Sequence, residues 1–136
     1  MNMRSLARIF FVVVLLVVGA FMAMPAHMLL LLRHHGWIDA TANLLLSVMP
    51  GVDLDPVVAF GALAMAARLA FPRASARYCI PLLAVVAALT EVVQIWSPGR
   101  EPAIHHFLLN VIGVLAGFGL ASVVWIAFAP EGRAAE

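Results

Sequence analysis

The chain has 136 residues, 65% of them hydrophobic and 11% charged, with a formal net charge of +1. A water-soluble domain carries about 25% charged residues, so this composition excludes an ordinary soluble fold and indicates an integral membrane protein. With all eight basic residues Arg and none in a run, no stripe suits nucleic acid, and the single cysteine, Cys79, excludes an internal disulfide and fits a small buried side chain.

The first apolar run covers 9–32, follows Arg4 and Arg8, and is interrupted only by Gly19, Pro25 and His27. A basic start before an apolar core also describes a secretory leader. Here the run continues past any cleavage point and no Ala-x-Ala stands near 20–26, so the expectation is a transmembrane helix, bent or ended at Pro25. The mixed segment that follows holds Arg33, His34, His35, Asp39, Asp53 and Asp55. Within it, 38–49 reads as a short helix lying along the interface or folded back on the bundle, closed by Pro50-Gly51. Asp55 then reads as an N-cap with Pro56 at the first helical position.

The second span, 56–71, is rich in Ala and short, with Arg68 placed to snorkel toward the near surface. A tight basic turn with Arg73 and Arg77 leads to the third span, 78–96, opened by Tyr78 and closed by Trp96 as interfacial anchors. After a turn at Pro98-Gly99-Arg100, the fourth span covers 106–128, and the tail is polar. The expected fold is therefore all-α: a single-domain integral membrane bundle of four transmembrane helices. Four spans place both termini on the same side as the 72–77 turn, and that side collects six of the eight arginines. By the positive-inside rule both termini are cytoplasmic, in a bacterial inner membrane.

In so apolar a chain the polar residues around the third turn stand out. Glu91 and Gln94 share a helix face at i, i+3. At about 1.5 Å rise per residue, Glu91 lies roughly 10 Å inward of Pro98, and Asn110 lies at a similar depth on the returning helix. Helices joined by so short a connection are antiparallel neighbours, so Glu91, Gln94 and Asn110 meet at one level, with Arg100 above them and Asp55 entering from the other outer loop. Intramembrane polar groups are costly and point to function. The structural alternative is that Glu91 only ties two helices together, as Gly113-x-x-x-Gly117 is expected to do by close packing. His105 and His106 beside Glu91 raise a metal site, but adjacent histidines diverge on a helix and no metal is expected. A general-base role for Glu91 with His106 as proton partner requires the two within about 3 Å, directly or through one water. Ser97 reads as turn chemistry.

Glu91-x-x-Gln94, then Pro98-Gly99-Arg100, then Asn110-x-x-Gly113 resembles the VanZ-like family of small membrane proteins, over about 55–128. That family usually has Asp where His106 stands here. Its second span usually opens with Asp-Lys and a His four residues after the Asp; Asp55 matches, while Pro56 and Ala59 replace the other two. The resemblance implies four spans and a role at the cell envelope, in the context of teicoplanin resistance or surface-polysaccharide systems. It carries over Glu91, Gln94, Arg100 and Asn110 as ligand-binding positions, to which Asp55 is added at the mouth of the bundle, and no cofactor is expected. The reading drawn from residues and resemblance together is a non-enzymatic envelope protein binding a lipid-linked or anionic headgroup on the outer face. Its partners are the bilayer and a lipid-linked envelope precursor or an envelope-assembly protein, with a homodimer left open. The alternatives are an intramembrane hydrolase or transferase using Glu91 and His106, and a structural assembly partner.

Overall fold

The computed structural model describes residues 2–33, 54–97 and 103–128, with positions 40, 43, 44 and 47 between the first two stretches. The short helix expected over 38–49 lies outside the described residues apart from those four positions, as do Asp53, the Pro98-Gly99-Arg100 turn and the tail. The fully described helices are five: α1 (Met3–Ala23), α2 (Ala26–Arg33), α3 (Asp55–Ala70), α4 (Ala76–Gln94) and α5 (Ile104–Phe128).

α1 begins six residues before the expected span, because Asn2 caps it: its side-chain oxygen accepts from the Ser5 amide at 2.8 Å. It ends at Ala23, just before Pro25, whose missing N–H and ring forbid a continuous ladder. The apolar run thus becomes two helices. At the start of α3 the expected cap is off by one residue. The N-cap is Leu54, with no side-chain cap bond, and Asp55 sits inside the first turn with Pro56 behind it. There its carboxylate faces the positive end of the helix dipole instead of capping it.

The long helices alternate in direction. Val57 lies against Gly113 and Gly61 against Gly117, so α3 and α5 run parallel. Phe71 at the end of α3 meets Phe11 at 5.5 Å near the start of α1, making those two antiparallel. α3 packs chiefly on α5 and then on α1, while α4 rests on α5 and α1 and touches α3 only slightly. α3 is therefore the inner helix, diagonal to its sequence neighbour α4. Its Ala-rich sequence makes this possible, since small side chains let α5 and α1 approach it closely. Phe60, Leu63, Ala64 and Ala67 fill the centre with Val18 and Met22 of α1, Leu83 and Ala87 of α4, and Val114 and Phe118 of α5.

The tightest contact is along Gly113 and Gly117. A Cβ on Gly117 would come within 2.7 Å of Gly61 Cα, and one on Gly113 within 3.0 Å of Val57 Cα. Only glycine allows backbones this close, the expected use of the small-xxx-small spacing. The outer surface is apolar nearly throughout, with Leu16, Val17, Leu82, Leu89, Ile112 and Val123 all exposed. Soluble monomers do not expose apolar area on this scale. α1, α4 and residues 104–127 of α5 are each long and apolar enough to cross a bilayer. α3, with 16 residues, is shorter; it measures about 24 Å against a hydrocarbon core of about 30 Å.

Charge divides between the two ends. Arg4, Arg8, Arg68, Arg73 and Arg77 lie at the end holding the start of α1 and the 71–75 turn; the described carboxylates, Asp55 and Glu91, lie at the other. Arg68 is more fixed than a snorkelling side chain. Its Nε donates to Ser122 Oγ at 3.1 Å and its Nη1 to the Pro72 carbonyl, and the guanidinium lies 5.8 Å from the Phe118 ring and 5.9 Å from Trp125. Arg68→Ala is expected to cost about 2 kcal/mol from the lost hydrogen bonds and ring contacts, read as a lowered thermal midpoint in detergent. Arg68→Lys, which keeps the charge but not the planar fork, should recover less than half of it.

Candidate functional site

The site is built at the carboxylate end, where α4 finishes and α5 begins. Glu91 sits in the last turn of α4, half-buried and facing α5. Its Oε2 accepts the backbone N–H of Ala103 at 3.3 Å, and its Oε1 accepts from Asn110 Nδ2 at 3.2 Å. The first contact places a carboxylate at the N-terminus of α5, where amide donors and the dipole favour negative charge. It does from a neighbouring helix what the Glu of a capping box does from its own.

Asn110 lies two turns into α5 and is 0% exposed. A carboxylate oxygen accepts and does not donate, so the amide nitrogen of Asn110 faces Glu91 and the amide oxygen turns away. That oxygen, Oδ1, is fully buried and has no hydrogen-bond partner among the described residues. A buried acceptor left unmatched costs about 1–3 kcal/mol, and such groups in a folded protein call for an explanation.

Gln94, one turn after Glu91, is 4% exposed and therefore inside the bundle. The glycine register of α3 on α5 sets Asp55 at the level of Val111, next to Asn110, and Asp55 is half-buried. Glu91, Gln94, Asn110 and Asp55 thus share one end of the bundle at similar depth, and Glu91 and Asn110 touch. Arg100 lies outside the described residues, three positions from both Ser97 and Ala103.

His106 is half-buried at the start of α5 and His105 is exposed, their rings 4.2 Å apart. The hydrogen bonds drawn to Glu91 among the described residues come from Asn110 and Ala103, and His106 makes neither. Among the described residues no three His, Cys, Asp or Glu side chains converge as metal ligands would. Ala59, where the family pattern usually has His, is packed against the core on α3.

Two features were not read from the sequence. Ser97 is buried, and its Oγ donates to the Ala23 carbonyl at 3.3 Å, tying the end of α4 to the last turn of α1. That carbonyl is one of those a helix C-terminus leaves without an internal partner. The other is the Ala103 amide as a partner for Glu91. A helix start close behind a buried carboxylate was the available signal for it.

The family model described as VanZ/LLP1 matches residues 9–126 of the chain. No curated protein and no solved structure matches it significantly.

Proposed function

The chain belongs to the VanZ/LLP1 family, and from that premise we propose that it is an envelope protein of the bacterial inner membrane that binds a lipid-linked or anionic headgroup at the Glu91–Asn110 end. The observation that carries this reading is the Asn110 amide oxygen, buried and unmatched beside a carboxylate. Joining two helices does not by itself call for an acceptor left unmatched, so this oxygen favours a further partner.

Four spans complete the reading. α3 runs parallel to α5 and antiparallel to α1, so it crosses the same slab as they do. The bilayer accommodates its shortfall of about 6 Å by local thinning. The arginine end is cytoplasmic by the positive-inside rule, which turns the Glu91 end outward. Trp96 and Tyr78, exposed near opposite ends of α4, mark the two interfaces. Glu91 is then roughly 7 Å inward of Trp96, at a depth the lower part of a headgroup reaches.

Arg100 contacts the phosphate or carboxylate of the ligand, for which a planar guanidinium is well matched. Glu91 is its counter-charge, and Gln94 and Asp55 complete the surround. A glycopeptide-resistance or surface-polysaccharide setting is the context this reading favours. Native mass spectrometry of the gently solubilised protein tests it. Wild type is expected to carry a lipid or lipid-linked glycan that Arg100→Ala loses. Equal spectra, with the mutant merely less stable, would support an assembly role instead.

A further inference from the structure

A second arrangement lies at the other end of the bundle, away from Glu91. Arg4, Arg8, Arg68, Arg73 and Arg77 gather there, and among the described residues no carboxylate lies with them, since Asp55 and Glu91 are at the opposite end. The five are not equivalent. Arg68 is half-buried and committed to Ser122, the Pro72 carbonyl and two rings. Arg77 is stacked on Tyr78 at 4.7 Å and donates to its hydroxyl. Arg8 and Arg73 are exposed and belong to one corner. The Arg8 guanidinium lies 5.9 Å from the Phe71 ring centroid, and Arg73 follows two residues later in a turn that the Ala74 N–H closes on the Phe71 carbonyl at 3.0 Å. Arg68 holds that turn through Pro72, and Phe11 packs edge-on against Phe71 at 5.5 Å.

Two exposed guanidinia at a braced turn, with no described carboxylate near them, suit an anion. The apolar surface beside them narrows its kind. Val12 and Leu16 follow Arg8 at one and two turns along α1, on the same face, and are 49% and 67% exposed. A soluble anion would leave that strip uncovered. We propose that Arg8 and Arg73 hold the phosphate of an anionic phospholipid whose acyl chain lies along Val12 and Leu16. The site is at the opposite end from Glu91 and stands or falls independently of the headgroup reading.

The test uses the delipidated full chain in detergent, titrated by native mass spectrometry with phosphatidylglycerol and with phosphatidylcholine of the same chains. Wild type is expected to bind phosphatidylglycerol at least about tenfold more tightly, the worth of one charged hydrogen bond. Arg8→Gln and Arg73→Gln should each lose most of that preference, with thermal midpoints close to wild type because both side chains are exposed. Arg77→Gln removes the same charge and should keep the preference. If Arg8→Gln lowers the midpoint, Arg73→Gln carries the same test from the turn. No preference in wild type would overturn the site. Equal losses in all three variants would replace it with a diffuse positive surface. Displacement of phosphatidylglycerol by an equal concentration of glycerol 1-phosphate would overturn the lipid as its occupant.

Discussion

Gly117→Val is expected to force α3 and α5 apart and to destabilise the protein by on the order of 3 kcal/mol. The first added carbon would already sit 2.7 Å from Gly61 Cα, closer than van der Waals contact allows, and the obstacle is backbone that no rotamer change can move. Separation of the two helices would propagate, because α3 is the inner helix and Phe60, Leu63, Val114 and Phe118 all pack along the same seam. Gly119→Val is the matched control: a Cβ there meets nothing within 4 Å and points to the outer surface. It should be neutral or slightly stabilising, since glycine is the poorer helix former. Thermal midpoints of the two variants in one detergent check the prediction. Similar losses in both would mean that the α3–α5 contact is not close.

Glu91→Ala should show the second large effect. It removes the acceptor for Asn110 Nδ2 and for the Ala103 amide, leaving the Asn110 side chain buried with no partner among the described residues and the start of α5 without its carboxylate. Each stranded group costs about 1–3 kcal/mol, so a loss of roughly 2–5 kcal/mol is expected, together with loss of any bound headgroup. Glu91→Gln separates the two consequences. Its amide oxygen accepts from Ala103 and its NH2 donates to Asn110 Oδ1 once the Asn110 amide turns over, so the number of matched groups is kept and the fold should survive, while the negative charge is gone.

The helices could be read from the sequence because apolar length and turn residues dictate them. Pro25 breaks the first, and the 71–75 turn separates α3 from α4. The meeting of Glu91 with Asn110 was also readable, since a short connection and equal distances from the turn bring those positions to one level. The placement of α3 inside the bundle was not. Sequence adjacency suggests that α3 and α4 are neighbours, whereas glycine and alanine spacing selects α5 and α1 as its partners, and that choice depends on how close two backbones can come. Nor could spacing show which atom of Asn110 stays unmatched, because that follows from the orientation that Glu91 imposes on the amide. Ser97 was read as a turn residue because its partner, the Ala23 carbonyl, lies 74 positions away.

The central claim is that the Glu91 end is a ligand site as well as a helix junction. Its most direct test measures co-purified headgroup and thermal midpoint on the same preparations of wild type and Glu91→Gln. The account predicts a midpoint close to wild type and headgroup occupancy reduced about tenfold or more, the loss of one charged hydrogen bond. A lowered midpoint with unchanged occupancy would contradict it and make Glu91 a packing residue alone.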